Sequence, residues 1–459
     1  MRALVFLALV AATVHVHAEE RPAAPLTLDQ AVEFALAHHP ALQVDTATEE
    51  ARRAQVSVAR SGYLPSVDLA LELNAGTGNV LRGSLLPMSG IPAVSGPPTG
   101  RSWSDASLGT VAGVGARWDA IGLIEKMALV DAALAEQARA HAAVDVRRIA
   151  VAFGAAEQFL EVVTRAETVR AARATVDRAR IFDTIVEALT KQELRPGADA
   201  SRAQAELALA ATQLIRAEQA EAVSRTELAR ALGVAGERVD IAVGNLLTAP
   251  VGAQPAAATR HPLVREAEAA VRSAQSRKRA VELQYLPRLD LFASLWVRGS
   301  GLGSGTLPPS PGAGIVPDTP NWLTGLCVTW PALEMVTVRA RARVEAAEVK
   351  VADARRREVV QAVLSQIDGA RVILEAARRE AANTPIALAA ARSTEAQATA
   401  RYRAGLATVV EVAEAQRLLA QAEIDDAVAR LGVRRAELLL ARAVGDLGPF
   451  VDEVRGGGR

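Results

Sequence analysis

The chain has 459 residues, of which 50% are hydrophobic but only 3% aromatic. Large compact cores normally take their bulk from aromatic side chains and leucine, whereas alanine dominates the apolar residues here. This composition argues against two or three ordinary globular domains and favours narrow helix seams packed with small side chains. Lys+Arg and Asp+Glu are equal at 52 each, so the chain has no net basic charge with which to hold nucleic acid.

Residues 1–18 have the pattern of a secretory signal peptide. One arginine precedes an apolar stretch, and Val16 and Ala18 are the small residues expected before a cut after position 18. Nothing later has the uninterrupted apolar run of about 18 residues that a membrane helix needs. We therefore expect an exported chain without a spanning helix. The only cysteine, Cys327, offers neither a disulfide nor an N-terminal lipid anchor and is interpreted as a small apolar residue.

An internal duplication organises the rest of the chain. His39-Pro40 recurs as His261-Pro262 after 222 residues, and Arg230-Ala231-Leu232-Gly233 recurs as Arg442-Ala443-Val444-Gly445 after 212 residues. One ancestral unit has therefore been used twice. The predicted divisions are a first repeat over 19–250, a second repeat over 251–450 with a Pro/Ala-rich seam near 249–258, and a flexible C-terminal tail over 451–459.

Each repeat predicts a helix, a strand, a loop, a second strand and then long helices. Thr27-Leu28-Asp29-Gln30 has the form of a capping box and opens a helical pattern that ends before Tyr63. Apolar residues occupy every odd position in the first strand of each repeat, over 67–74 and 289–297. Weaker alternation predicts second strands near 108–118 and 323–330, and the Gly/Pro/Ser-rich stretches of roughly 76–106 and 299–321 predict loops.

The long helical patterns that follow have coiled-coil seams. Over 360–381 and 412–440 the apolar residues alternate spacings of three and four, with polar Asp426 skipped. Asn383-Thr384-Pro385 has the cap-then-proline form of a helix start, so we expect a break there. The helical run from about 334 to 403 would extend ~100 Å if unbroken. That length suits a duct across a compartment better than a compact domain.

Four short alternating strands per chain cannot close a barrel alone. A barrel in lipid needs about eight or more strands to remove every edge, so several chains would have to share one, and three chains would supply twelve strands. The other interpretation is a soluble strand pair that caps a helical rod. Alternation over so few residues does not decide between the two.

Several motifs in order resemble the TolC family of outer-membrane efflux and secretion channels. They are LTLDQAVEFALAHHPAL, the paired YLPSVDL and YLPRLDL, TWPALE, and RYRAGLATVVEVAEAQ. The resemblance implies a mainly α fold with a small antiparallel β part: a long coiled-coil α-barrel, plus four strands per chain in a shared twelve-stranded trimeric transmembrane β-barrel. It also implies a homotrimer in outer-membrane lipid that extends into the periplasm, a periplasmic adaptor (membrane fusion) protein and an inner-membrane pump. The channel itself would be a passive conduit without chemistry.

Gly197 and Gly405 are predicted to lie in the turns where each helix pair reverses, because a helix end needs a left-handed residue that glycine adopts without strain. The resemblance implies that an adaptor grips both turns. The segment around Gly405 fits the family pattern, whereas Pro196 and Asp199 are atypical in the first turn. The expected adaptor contacts are Gly197, Arg403, Gly405, Leu406 and Thr408.

Glu411 and Glu414 lie three residues apart and therefore share one helix face just inside the second turn. One interpretation is an ordinary solvated face of an exposed coiled coil. The other, implied by the resemblance, is a closed periplasmic gate to which Tyr402 also contributes, with six carboxylates around a threefold axis giving pH-dependent, cation-selective conductance. Some family members tie this gate with an arginine two residues after the turn glycine, where this chain has Ala407. The candidate substitutes are Arg401, Arg403 and the Tyr402 hydroxyl.

No catalytic, cofactor or metal site is predicted. The histidines after the signal peptide are not spaced as zinc ligands, and Gly301-Leu302-Gly303-Ser304-Gly305 lacks the lysine and the strand-to-helix setting of a phosphate loop. The alternative to a channel is a soluble periplasmic coiled-coil adaptor or scaffold, although an adaptor should carry a β-rich lipoyl-like segment that we do not find. The sequence does not distinguish drugs, metal ions and proteins as cargo.

Overall fold

The structure, a computed structural model, describes residues 25–77, 106–192, 197–243, 246, 261–300, 315–317, 319–330 and 334–456. The predicted signal peptide, the seam near 249–258, most of both predicted loops and the stretch 301–305 lie outside these residues. The helices are α1 (Leu28–His38), α2 (Pro40–Ser61), α3 (Leu123–Lys191), α4 (Gly197–Leu232), α5 (Pro262–Glu282), α6 (Met335–Arg403), α7 (Val409–Val444) and α8 (Gly448–Gly456), with a 3-10 turn over Leu283–Tyr285. The strands are β1 (Ser66–Thr77), β2 (Ala106–Asp119), β3 (Arg288–Ser300) and β4 (Thr319–Thr329).

The chain divides into two compact units, each built from segments of both predicted repeats. The first unit comprises Met1–Thr48, His141–Glu266 and Arg357–Arg459. The second unit comprises Glu49–Ala140 and Ala267–Arg356 and contains all four strands named above. The division cuts across the repeats because each repeat contributes one strand pair to the second unit.

The start of the first repeat confirms the predicted capping box, in which the Thr27 N–H donates to Gln30 Oε1 at 3.0 Å. The single helical pattern predicted to run on to Tyr63 is wrong in one respect, because it is divided into α1 and α2 at His39. His39 has extended angles (φ −65, ψ 122), as expected for a residue whose helical conformation is disfavoured by the following Pro40.

The strands form one antiparallel sheet in the order β1-β2-β3-β4 and extend one to four residues beyond their predicted bounds at every end but that of β4. The register places Leu69, Val114, Leu295 and Trp322 side by side across all four strands. Directly opposite residues point to the same face, so this row forms one apolar face. The face is open within this chain: Leu69 is 85% exposed and Trp322 is 73% exposed.

The first unit holds the largest apolar core of the described residues. Ala155, Phe159 and Leu160 of α3 are fully buried with Leu28 of α1 and Leu438 of α7. The two predicted seams are confirmed, since residues of the α6 seam pack in one cluster with residues of the α7 seam. The seam members that are buried together are Val363, Ile367, Ala370, Leu374, Ala436 and Leu440. Small side chains therefore allow the long helices to pack closely, as the composition predicts.

Helix α6 continues through Pro385, so the predicted break at Asn383-Thr384-Pro385 is wrong. A proline inside a helix removes one hydrogen bond and crowds the preceding turn, at a cost of about 3 kcal/mol. Pro385 lies on the exposed side of α6, whereas Leu374 before it and Ala391 after it are both buried. Burial of the helix on both sides of Pro385 therefore outweighs the local preference of Asn383-Thr384-Pro385 for a helix break. Across the residues that the structure describes, no helix combines the length and apolarity needed to cross a membrane.

Two further details modify the sequence interpretation. Asp426, skipped in the α7 seam, is only 6% exposed, and it accepts a hydrogen bond from Thr384 Oγ1 of α6 at 3.2 Å.

Helix α8 extends to Gly456, so residues 451–456 of the predicted tail are helical. Phe450 of this helix is 1% exposed and belongs to the main core.

Candidate functional site

The turn between α6 and α7, which we call the second tip (Arg403–Thr408), is closed by main-chain hydrogen bonds. The Leu406 N–H donates to the Arg401 carbonyl at 2.9 Å, and the Gly405 N–H donates to the Tyr402 carbonyl at 3.0 Å. This pair of bonds is the Schellman motif, which requires a left-handed residue, and Gly405 has φ +79. The predicted chain reversal at Gly405 is confirmed.

Gly197 does not have the equivalent conformation. It is the exposed first residue of α4, so it belongs to a helix and does not form a left-handed helix end as Gly405 does. The prediction of a left-handed glycine at this position is therefore wrong, because the residue starts a helix instead of ending one. The neighbouring residues 193–196 are outside the described part of the chain.

The start of α7 is a capping box made by Thr408 and Glu411. The Glu411 N–H donates to Thr408 Oγ1 at 3.4 Å, and the Thr408 N–H donates to Glu411 Oε1 at 3.1 Å. Two helix N–H groups that would otherwise lack partners are satisfied in this way. Glu411 therefore has a structural role that neither sequence interpretation included, and its carboxylate remains 47% exposed.

Tyr402 lies beneath the second tip, where it is only 1% exposed. Its ring packs against Phe182 of α3 with centroids 5.2 Å apart and planes tilted by 58°. Ala407, at 5% exposure, belongs to the same apolar cluster, together with Val186 and Val412. Within one chain Tyr402 therefore supports the tip from inside, whereas Glu411 and Glu414 are on the exposed surface. The position that Ala407 occupies is also an interior one here.

Arginine side chains stand beside both glutamates. Arg401 Nη1 is 3.9 Å from Glu411 Oε2, and another Arg401 nitrogen donates to the Leu406 carbonyl at 3.3 Å. Arg417 Nη1 is 3.5 Å from Glu414 Oε2, while its Nη2 donates to Glu206 Oε1 of α4 at 3.1 Å. Arg417 thus joins α7 to α4 through a chain of alternating charges. Glu414 is 74% exposed and Glu206 is 25% exposed.

The remaining predicted contact residues are at the surface of the second tip. Arg403, Gly405 and Thr408 are exposed, and the apolar side chain of Leu406 is 71% exposed. The structure therefore brings Arg403, Gly405, Leu406, Thr408 and Glu411 into one short segment. Helix α4 approaches the same segment through Ala203, which is buried in the cluster around Tyr402.

Sequence reasoning missed the cap made by Glu411 and the pairing of Arg417 with Glu206. The Thr-x-x-Glu spacing of Thr408 and Glu411 is a local signal and could have been found, because the same pattern predicts the start of α1. The pairing of Arg417 with Glu206 joins residues 211 positions apart, so no local pattern contains it. Among the described residues, no three His, Cys, Asp or Glu side chains are grouped so that they could hold a metal ion.

Comparison with known proteins identifies the family. The family described as outer membrane efflux protein matches residues 31–234 and 255–446, which is most of the chain. The fold resembles the outer-membrane channel OprN, with 20% identity, a TM-score of 0.76, and coverage of 91% of this chain and 89% of that one. It also resembles CusC, whose structures concern transmembrane channel formation, with 14% identity, a TM-score of 0.77, and coverage of 91% and 92%.

A third similar structure is the open state of the outer membrane channel MtrE of Neisseria gonorrhoeae, with 19% identity, a TM-score of 0.72, and coverage of 91% of this chain and 89% of that one. No curated protein sequence matches the chain. The family match and the likeness in fold agree with the duplicated plan of strands and long helices. The chain belongs to the outer membrane efflux protein family.

Proposed function

We propose that this outer-membrane protein is a trimeric exit channel, a passive conduit of a tripartite efflux or type I secretion system that is gated at its periplasmic helix tips. The observation that carries the proposal is the open apolar face of the sheet. Leu69, Leu295 and Trp322 form part of an uninterrupted apolar row and are all more than 60% exposed in a single chain. Lipid is a suitable environment for such a face, since an exposed apolar surface of this kind marks a contact with membrane or protein.

The open edges of the sheet support the sharing of strands between copies. In the described sheet β1 pairs only with β2 and β4 only with β3, so each edge presents unpaired main-chain groups. Such edges are unfavourable in lipid and are removed by closure. Pairing β1 of one copy with β4 of the next, in three copies, closes a twelve-stranded barrel. The three sets of long helices then continue as a coiled-coil duct into the periplasm.

Glu411 and Glu414 are the proposed gate residues. Both carboxylates are exposed within one chain, so they are free to face the axis of a trimer. Six carboxylates gathered at the narrow end of the duct would attract cations and repel anions. Tyr402 acts from beneath, because its buried ring supports the turn that orients the start of α7.

The latch that replaces an arginine at Ala407 is proposed to be the pair Arg401 and Arg417. Arg401 pairs with Glu411 across the tip, and Arg417 links Glu414 to Glu206 of α4. Outward movement of α7 away from α4 would have to separate Arg417 from Glu206. Both arginines are 60% exposed, so each pair contributes modestly and is weakened by salt.

The second tip is the proposed docking point for a periplasmic adaptor, which in turn recruits an inner-membrane pump. Leu406 presents an apolar side chain at 71% exposure, flanked by the exposed Arg403 and Thr408. A rigid turn with one apolar anchor is suited to the groove of a helical partner. We extend the adaptor contact to Gly197, which is exposed at the start of α4.

The test is single-channel recording in planar bilayers with the purified full chain, after fractionation and mass measurement of the intact assembly. A trimer from the outer-membrane fraction with a cation-selective conductance supports the proposal. In Glu411→Gln/Glu414→Gln we expect reduced cation selectivity, and in Arg417→Gln we expect more frequent opening. The control is Glu380→Gln, which removes an exposed carboxylate on α6.

A monomer in the periplasmic fraction with no conductance would instead identify a soluble adaptor or scaffold. Unchanged selectivity in the double glutamine variant would contradict the gate and support the interpretation of Glu411 and Glu414 as an ordinary solvated helix face. The cargo is a separate question, answered by deleting the gene and screening drugs, metal salts and secreted proteins for a changed phenotype.

A further inference from the structure

The two histidines that precede prolines occupy matching positions in the first unit. His39 lies before α2, and its Nδ1 accepts the Ala41 N–H at 3.1 Å. His261 lies before α5, and its Nδ1 accepts the Leu263 N–H at 3.2 Å. Each imidazole thus caps the helix that follows it, in the place where a side-chain oxygen is the usual acceptor. We call these two sites the His-Pro joints.

Each joint is pressed against the glycine that ends another long helix. Gly233 follows α4 with φ +85, and a Cβ added there would lie 3.0 Å from Pro40 Cδ. Gly445 follows α7 with φ +84, and a Cβ there would lie only 2.6 Å from His261 Cδ2. The start of α2 therefore rests on the end of α4, and the start of α5 rests on the end of α7. Both repeats therefore contain the same contact between a His-Pro pair and the glycine that ends a long helix.

We propose that the His-Pro joints are a pair of acid-sensitive clamps, which hold these helix ends together when His39 and His261 are neutral and release them when the two rings are protonated. The cap needs Nδ1 to accept a hydrogen bond, so Nδ1 must carry no proton. Protonation removes the acceptor and places a positive charge beside the N-terminus of a helix, where the helix dipole repels it. The C-terminal ends of α4 and α7, on which the joints rest, attract a positive charge and offset part of this repulsion, so the loss of the acceptor is the main destabilising change.

The surrounding charges reinforce this sensitivity. Around His39 they are Arg147 of α3 and Arg230 of α4, and burial together with these two guanidinium groups lowers the pKa of His39. Asp45 of α2 pairs with Arg147 at 2.6 Å and so offsets part of that repulsion. Glu227 of α4 likewise pairs with Arg230 at 2.7 Å, so each guanidinium group is itself paired and burial is the main cause of the lowered pKa of His39.

His261 is more deeply placed, at 4% exposure. Burial lowers its pKa, a main-chain hydrogen bond to Arg442 of α7 acts in the opposite direction, and Arg265 of α5 lowers it further. Asp145 of α3 pairs with Arg265 at 3.1 Å, and the Arg442 guanidinium is turned onto the Phe153 ring at 4.3 Å. The net direction is the same as for His39.

The sign of the pH dependence follows from these directions. Because the folded-state pKa values lie below the unfolded value of about 6.5, the unfolded chain takes up protons first as the pH falls. The stabilisation from the joints is complete above about pH 6.5 and is lost as the pH falls below it toward the folded-state values. The affected helices include α7, which carries Glu411 and Glu414 at its other end.

The test is the apparent Tm of the purified full chain in detergent, measured at about pH 7.5 and about pH 5.5 at one protein concentration and scan rate. The variants are His39→Asn, His261→Asn and the double variant, since asparagine caps a helix start but does not titrate in this range. We expect the wild type to lose several degrees on acidification and the double variant to lose clearly less. His141→Asn, which changes an exposed histidine on α3, is the control and should follow the wild type.

A double variant whose Tm falls as much as that of the wild type would overturn the proposal. If the double variant does not assemble, His39→Asn decides the question, because its ring is only half-buried and its replacement is the milder change. An unchanged loss of Tm in that variant also counts against the clamps. The readout is thermal stability, so it is independent of whether the channel and gate proposals hold.

Discussion

Thr408 and Glu411 exchange hydrogen bonds at the start of α7, each satisfying a main-chain N–H of the other at 3.1 and 3.4 Å. The proposed gate carboxylate is thus also a helix cap. Charge and capping can be separated by substitution, because glutamine keeps the capping geometry while removing the charge.

In Glu411→Gln we expect stability close to that of the wild type together with reduced cation selectivity. In Glu411→Ala we expect the same loss of selectivity and, in addition, destabilisation by about 0.5–1.5 kcal/mol, because the Thr408 N–H loses its bond to the Glu411 carboxylate. Apparent Tm and bilayer selectivity, measured on both variants, separate the two effects. Equal Tm values for the two variants would mean that the capping box does not stabilise α7.

Substitution by alanine should destabilise the protein at Gly405 but not at Gly197. Gly405 has φ +79, so Gly405→Ala forces an alanine into the left-handed region, at a cost of about 1–2 kcal/mol. Gly197 begins α4 with open space around the position of a Cβ. Gly197→Ala should therefore be neutral or stabilising by up to about 1 kcal/mol. Apparent Tm and the rate of proteolysis at each tip provide the measurement, and equal destabilisation by both changes would contradict it.

Gly445 combines a left-handed conformation with close contact to His261, and Gly236 separates these two constraints. A Cβ on Gly445 would lie 2.6 Å from His261 Cδ2, whereas a Cβ on Gly236, at φ +94, would meet nothing within 4 Å. We expect Gly445→Ala to cost about 2–5 kcal/mol from backbone strain plus overpacking. Gly236→Ala should cost only the strain, about 1–2 kcal/mol. Thermal unfolding of both variants checks the difference, and equal losses would rule out a tight joint.

Asp426 should stabilise the packing of α6 on α7, although it is a polar residue in an apolar seam. It accepts from Thr384 Oγ1 at 3.2 Å and pairs with Arg430 at 3.0 Å while only 6% exposed. Asp426→Ala removes the acceptor of the Thr384 hydroxyl, whereas the exposed Arg430 remains solvated, so we expect a loss of about 1–3 kcal/mol, with Asp426→Asn closer to the wild type. In a double-mutant cycle with Thr384→Val, strictly additive changes in Tm would show that the contact beside Pro385 does not tie α6 to α7.

Local patterns predicted much of the fold correctly. Alternation located the strands to within a few residues, and spacings of three and four located the α6 and α7 seams. These features depend on which face of a strand or helix is buried, and the spacing of apolar residues along the chain identifies that face. Pro385 and Gly197 were misread for the same reason. A proline or glycine signals a local preference, but packing around the helix decides whether the preference prevails.

The sequence by itself determined the duplicated plan, the pair of glutamates on one helix face after the second tip, and the left-handed turn at Gly405. The glutamate pair and the turn depend on residues within one or two helical turns of one another, and the duplicated plan depends on short motifs that recur along the chain. Only the tertiary structure decided that Arg417 reaches Glu206 and that His261 presses on Gly445, because these partners lie far apart in the chain. Their contacts exist only after the long helices have packed in one register, and that register is set by the whole seam.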